Sequence, residues 1–334
     1  MKQLHLFIVL IITYFLISSC NRGCKDDVNI QDITMNIKVE QLEKELFAFK
    51  SKEDVTAFLI KYPLFSKYYL EVNPAAPDEQ LVNFLYDYYR NKQLYEFYLE
   101  SENLFGDVDE FRTDFEKALK HIKYYYPQFH DPLVYTLVSG FKFEKDIVVK
   151  DSVVVVSIDY FLGKKAHFRP PFYEYFLERF NKPYLVPMLM MAYSDRYNKA
   201  DGSDHTMLAE MIFYGKAHYF MEKMLPCAPD SMIIMYPEKE LEDVQKHELT
   251  IWEHFVQNKL LFNTTPFLID KYVGEAPKVH EIGEKCPGRI GRWLGWQIVR
   301  SYMEHNSSVT LQQLMTEKDA QKIFKLSKYK PKEK

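Results

Sequence analysis

Hydrophobic and polar positions along this chain follow two different periods, and the switches between them outline its architecture. Ile33 to Val39 alternates loosely and predicts a short strand. From Gln41 to Lys50, Leu42, Leu46 and Phe49 recur at helical spacing. Asp54 to Tyr62 forms a second helical set, stopped by Pro63. Pro74-Ala75-Ala76-Pro77 reads as a loop, with Asp78 as N-cap of a helix to about Arg90. Val108 to Tyr126 puts Phe111, Phe115, Leu119 and Ile122 on one face and ends at Pro127. The period then changes. Leu133 to Phe143 is rich in Val, Leu, Tyr and Phe without helical spacing. Ile147-Val148-Val149 and Val153 to Ile158 flank a short polar turn and predict a hairpin. Four successive valines, Val153 to Val156, predict a strand covered on both faces.

Helical spacing returns beyond Pro171. Phe172–Phe180 is short and Tyr184–Tyr197 is apolar. His205–Leu225 is long, with Ser203 or Asp204 as its cap and Pro226 as its stop. Leu241–Phe262, Arg289–His305, Thr310–Met315 and Asp319–Leu326 follow. A sheet between helical groups predicts a helix-dominated α+β fold, a small β-sheet packed by long helices. Residues 33–327 are expected to form a single globular α+β domain, followed by a basic tail at 328–334.

The first residues belong to a different category. Lys2 is followed by a mostly apolar run from Leu4 to Ile17, shorter than the about 20 residues a spanning helix requires, so 1–19 reads as a signal peptide. Leu16-Ile17-Ser18-Ser19-Cys20 resembles the bacterial lipobox. That resemblance implies cleavage before Cys20 and a lipid on its thiol, with 20–32 as a tether. Each buried acyl CH₂ contributes about 0.8 kcal/mol, and two chains anchor stably. Lys25-Asp26-Asp27 resembles a charged surface-export signal but stands late, so an envelope protein facing the periplasm is expected.

Composition narrows the functional classes. Hydrophobic residues make up 47% and charged residues 27%, which fits a packed globule. A net charge of −4 gives no general attraction to nucleic acid. Eleven glycines stand against 25 Tyr and 25 Phe, which predicts aromatic contacts between helices in place of a turn-rich β protein. Besides Cys20, the cysteines are Cys24, Cys227 and Cys286. Either a Cys227–Cys286 bridge or two buried thiols is expected.

No familiar catalytic set is complete. His247-Glu248 and His280-Glu281 lack the second histidine of His-Glu-x-x-His, with Ile251 and Glu284 in its place. His247 and His254 are two helical turns apart, and hydrogen-bonding roles are expected for them. No Gly-x-Ser-x-Gly, Ser-x-x-Lys or phosphate loop occurs. No catalytic residue, metal or cofactor is therefore assigned. The segment Cys286 to Met303 holds three glycines and two tryptophans. Gly291 and Gly295 share a helix face and predict close approach of another helix. The alternative is a binding groove in which Arg289 and Arg292 face an anion. Glu210 is expected to turn inward and to pair with an arginine from 289–300.

Ile158-Asp159-Tyr160-Phe161-Leu162-Gly163, Met211-Ile212-Phe213-Tyr214-Gly215-Lys216, Glu248 to Leu261, Pro287 to Met303 and Ser327-Lys328-Tyr329-Lys330-Pro331 resemble, in this order, the GldB-type gliding-motility lipoproteins of Bacteroidetes. The resemblance spans the mature chain. It implies a membrane-anchored component linked to gliding and type IX secretion, with envelope proteins as partners and no established reaction. A more distant resemblance is to gluzincin-like peptidases. On that plan Ala209 and Phe213 stand where metal ligands would be, Glu210 where the catalytic Glu would be, and Glu248 where a third ligand could lie. The scaffold would be a degenerate zincin that lacks its metal. Glu210, Lys216, Glu248, Arg289, Arg292 and Arg300 are the candidate binding residues. A non-catalytic accessory role is expected, against the alternative of a peptidase or cell-wall hydrolase with an unrecognised site.

Overall fold

The computed structural model describes Cys24 and residues 28–332. The expected signal peptide, the expected lipidation position Cys20 and most of the expected tether lie outside these residues. Among them the fold is α+β and helix-dominated, with 16 helices around a four-stranded mixed sheet. The strands are β1 (Val39–Gln41), β2 (Leu133–Leu137), β3 (Ile147–Val149) and β4 (Val153–Ser157), in the order β1-β2-β4-β3. β1 and β4 flank β2 in parallel, and β3 pairs antiparallel to β4 as the predicted hairpin.

The valine run shows why the sheet is buried on both sides. Successive strand side chains point to opposite faces. Val153 and Val155 therefore join Tyr135 and Leu137 in a core with Val55, Phe58, Phe65 and Leu85, from helices Lys52–Lys61, Pro63–Tyr68 and Glu79–Tyr89. Val154 and Val156 join Val134 in a larger core with Phe115, Leu119, Met190 and Tyr193, from helices Asp109–Tyr125 and Leu185–Tyr197. The longest helix among the described residues, Met207–Met224, adds Met211, Phe220 and Met221 to this second core. A place for this helix directly under the strands, as its length and apolar character would suggest, is not what the structure shows. Its main partners are instead other helices, above all Ile290–His305, then Leu185–Tyr197 and Ala320–Ser327.

Several boundaries differ from the pattern for identifiable reasons. Pro63 opens a new helix, at a first-turn position where its missing N–H costs nothing. The helix Lys92–Phe105 was not anticipated, although Asn91 caps it by accepting from the backbone N–H of Gln93 and Leu94. Thr206 caps the long helix in place of Ser203 or Asp204. The expected single helix over 241–262 is broken at His247 into Glu238–Lys246 and Glu248–Gln257. The helix Pro266–Val273, also unanticipated, follows. The disulfide joins Cys24 to Cys227, which replaces both expected arrangements, a Cys227–Cys286 bridge and two buried thiols; Cys286 is a free thiol that burial pushes up to about 12.

Helices Met207–Met224 and Ile290–His305 touch backbone to backbone. A Cβ on Gly215 would stand 2.4 Å from the carbonyl oxygen of Gly295, and one on Gly295 would stand 1.9 Å from that of Met211. Both distances are impossible for real carbon atoms, so each glycine admits the other helix. At Gly291 a Cβ would first meet a methyl of Val273, at 2.8 Å. The expected small-residue seam is present, and Gly215 is the member that the sequence pattern did not single out. Gly295→Ala and Gly215→Ala are each expected to destabilise by about 1–3 kcal/mol or more, because rigid backbone has to move. Gly291→Ala should cost less, because a side chain can yield. Urea midpoints of the three variants check the order.

Candidate functional site

A cleft of about 820 Å³ opens beside the glycine seam, lined by His205, Glu210 and Tyr214 at the start of the long helix, by Thr264 and Asp270 from the following segment, and by Arg292. Glu210 and Asp270 are exposed at its rim. Loop hydrogen bonds shape the entrance. The Ser203 hydroxyl donates to Asp201 at 2.7 Å, and Asp204 accepts from the Thr206 N–H at 3.0 Å. Both are turn-forming contacts that set up the helix start.

Arg292 is fixed on three sides. Its Nε donates to the Val273 carbonyl at 2.6 Å, its guanidinium lies 4.0 Å from the centre of the Tyr214 ring, and Glu275 stands 3.3 Å away. The same carboxylate accepts two bonds from Arg179, at 3.1 and 2.8 Å, and lies 3.5 Å from Arg289. Arg289 also donates to the carbonyls of Ile234 and Met235. Three arginines thus surround one glutamate, and carbonyls at the ends of helices Asp230–Ile234 and Pro266–Val273 supply further negative potential.

The titration of this cluster follows from its imbalance. Burial would raise the Glu275 pKa, but Arg289, Arg179 and Arg292 outweigh it and hold the carboxyl below the usual range. Burial together with neighbouring Arg289 pushes Arg179 down to about 10, despite its bonds to Glu275. A lone anion among three cations gains attraction, while each cation also meets two like charges. Glu275 is thus an anion at neutral pH. The anion expected to face Arg289 and Arg292 is therefore Glu275, a residue of the chain itself.

The remaining candidates lie elsewhere. Arg300 donates to Glu222 and to both oxygens of Asp230, and stacks on Trp296 at 3.8 Å. Glu210 is exposed, so the expected inward turn and arginine pairing are not made; Glu275, Glu222 and Asp230 take that place instead. Glu248 accepts from the Tyr329 hydroxyl at 2.8 Å, away from the cleft. Lys216 is 2% exposed and donates to the carbonyls of Lys199 and Glu317 at 2.5 and 2.8 Å. It clamps two loops and does not reach the cleft. His247 bonds the Asp243 carbonyl and His254 the Tyr272 hydroxyl, in keeping with the hydrogen-bonding roles expected of them. Among the described residues no three His, Cys, Asp or Glu side chains are gathered as a metal centre.

Sequence reading missed Arg179 and Glu275, which are 96 positions apart and carry no local motif. It also assigned no role to Asp159, quoted only within a segment of the family resemblance. That buried carboxyl accepts from Ser139 and Phe141 beyond β2, in a turn where Gly140 and Phe141 both have positive φ. Burial pushes it up to about 6, against the bonds from Ser139.

A family model described as gliding motility protein GldB matches residues 23–331. No curated protein and no solved structure matches the chain.

Glu275→Gln is expected to destabilise by about 2–4 kcal/mol, less than for a fully enclosed pair because the glutamate side chain is 30% exposed. The folded-state pKa of Glu275 is depressed, so its contribution is complete above the ordinary carboxylate value and is lost as pH falls through the lowered one. The gap between wild type and variant should therefore close in acid, which denaturant titrations across pH would register. Lys216 gives a separate alkaline test. Burial, opposed by Glu317, pushes its pKa down to about 8. Between that value and the ordinary lysine value of 10.5 the unfolded chain holds the extra proton, so stability rises with pH. The stability of wild type minus that of Lys216→Met should increase across this window.

Proposed function

This chain belongs to the gliding motility protein GldB family, and from that premise we propose that it is a lipid-anchored envelope protein that works by binding other motility or secretion components. Its lipoprotein character and its association with gliding follow from the family. The finer reading adds three elements: anchoring through Cys20, a periplasm-facing body, and a non-catalytic role connected to type IX secretion.

The observation that carries the binding role is the construction of the cleft. Its inner wall rests on the glycine-locked helix pair, and its cation is held by Glu275, Val273 and Tyr214 before any ligand arrives. Preorganised walls lower the ordering cost of association. The rim offers exposed carboxylates at Glu210 and Asp270 around an aromatic and an arginine, which suits a polar or basic peptide segment. A hydrolase is the second reading, favoured by the presence of Ser203, His205 and Glu210 on the same cleft. The Ser203 hydroxyl is directed to Asp201, however, which leaves the serine unactivated in this arrangement.

The test compares wild type with a Glu210→Arg/Asp270→Arg double variant. Both positions are exposed, so the melting temperature should change little. Cross-linking capture of envelope partners should be lost, as should complementation of a gliding strain that lacks its own family member. Unchanged capture and complementation would contradict the binding role. Hydrolysis of peptide or cell-wall substrate that disappears in His205→Ala would establish the second reading instead.

A further inference from the structure

The Cys24–Cys227 disulfide sits on the surface, with both cysteines exposed. Cys227 lines an apolar groove of about 390 Å³ together with Phe111, Val186, Pro187, Leu225 and Met232. Lys117 and Lys182 stand at its edge, where Lys117 Nζ approaches the Cys227 sulfur at 3.8 Å and Lys182 pairs with Glu110 at 2.9 Å.

The position of the disulfide along the chain gives it a mechanical consequence. Cys24 lies four positions after Cys20. A fully extended chain of that length reaches about 14 Å at most. The chain is tied to the body again at Thr34, whose carbonyl accepts from Lys123. Lys117 and Lys123 belong to the same helix, about 9 Å apart along its axis. A leash that ran from Cys20 to Thr34 would reach about 50 Å and let the body turn freely.

We infer that the Cys24–Cys227 bond is an orientation clamp, which shortens the leash from a lipidated Cys20 and sets the groove face of Phe111, Val186 and Leu225 against the lipid leaflet that carries the anchor. The inference rests on the anchoring reading of Cys20. The occupant is the leaflet because the tether leaves the body at this groove and is too short to bring any other face to the membrane first. The apolar lining meets the interfacial region, and the lysine stems at the edge place their charges among headgroups. Glu110 and Asp114 balance these lysines, so the contact does not depend on acidic lipid. The opposite side of the sheet, with the helix Lys52–Lys61, then points away from the bilayer.

The experiment uses the full-length lipidated protein reconstituted in phosphatidylethanolamine–phosphatidylglycerol vesicles that contain a headgroup-labelled energy acceptor. A donor dye is attached through a clickable residue at Asp114, beside the groove, or at Lys52, on the far layer; both positions are exposed. Transfer to the acceptor should be clearly stronger from position 114 than from position 52, and the difference should vanish in Cys24→Ser/Cys227→Ser. Equal transfer in wild type, or a difference that survives the double substitution, would overturn the clamp. Donor-to-donor transfer at 114 without lipid quenching would overturn it in favour of an interface between two copies. Acyl labelling and membrane fractionation of the same samples report on the anchor separately. Their absence in wild type would overturn the reading of Cys20 and the clamp with it, whereas their presence alongside equal transfer would overturn the clamp alone. Non-reducing peptide mapping that found Cys24 unlinked to Cys227 would overturn it as well.

Discussion

The backbone contact between Gly215 and Gly295 is the constraint on which the surrounding structure depends. Two helices of 18 and 16 residues approach with no side chain between them at this crossing. That proximity buries Trp293 and Trp296 on one helix and Phe220 and Met211 on the other, all within the larger core. It also fixes the start of the second helix, so that Arg292 reaches Tyr214 and the end of the helix Pro266–Val273. The cleft wall, the arginine clasp and the core are consequences of one close approach. In a chain so poor in glycine, helix interiors that accept this residue forgo about 1 kcal/mol each of helix propensity, and close packing is the return.

Charge inside this part of the protein is arranged in unequal groups. Three arginines share Glu275, whereas Glu222 and Asp230 share Arg300. Helix-end carbonyls moderate the first group and the Trp296 indole N–H the second. Lys216 and the neutral His218 lie on the same long helix, and burial pushes the His218 pKa down to about 3. Removing one partner from such a group leaves a buried charge without compensation, which is why these residues read as parts of the frame. The variable, solvent-facing chemistry is left to Glu210, Asp270 and His205 at the cleft rim.

How much of this was legible in the sequence depended on the range of each interaction. The valine run, the Asp78 cap, the β3–β4 hairpin and the small-residue face at Gly291 and Gly295 are local patterns, and they appear as expected. The inward turn and arginine pairing expected of Glu210 failed because such partners are chosen by tertiary geometry, and Arg300 meets Glu222 and Asp230 instead. Glu275 and Arg179 belong to no motif and meet only when distant helices pack. The Cys24–Cys227 pair was missed because Cys24 had been assigned to a tether with no contacts of its own. The break at His247 has no proline or glycine to announce it. The family resemblance covered nearly the whole chain and agrees with the family match, although it identified no residue of the arginine clasp.

On the proposed binding role, the wall of the cleft has to persist while a partner comes and goes. Native-state hydrogen exchange tests that claim most directly. The amides of Met211–Tyr219 and Leu294–Val299 should exchange only through global unfolding, with protection that matches the stability from denaturant titration and the same denaturant dependence. Exchange of these segments through a smaller, local opening, while the sheet and the helix Asp109–Tyr125 stay protected, would contradict the account of a rigid seam that organises the site.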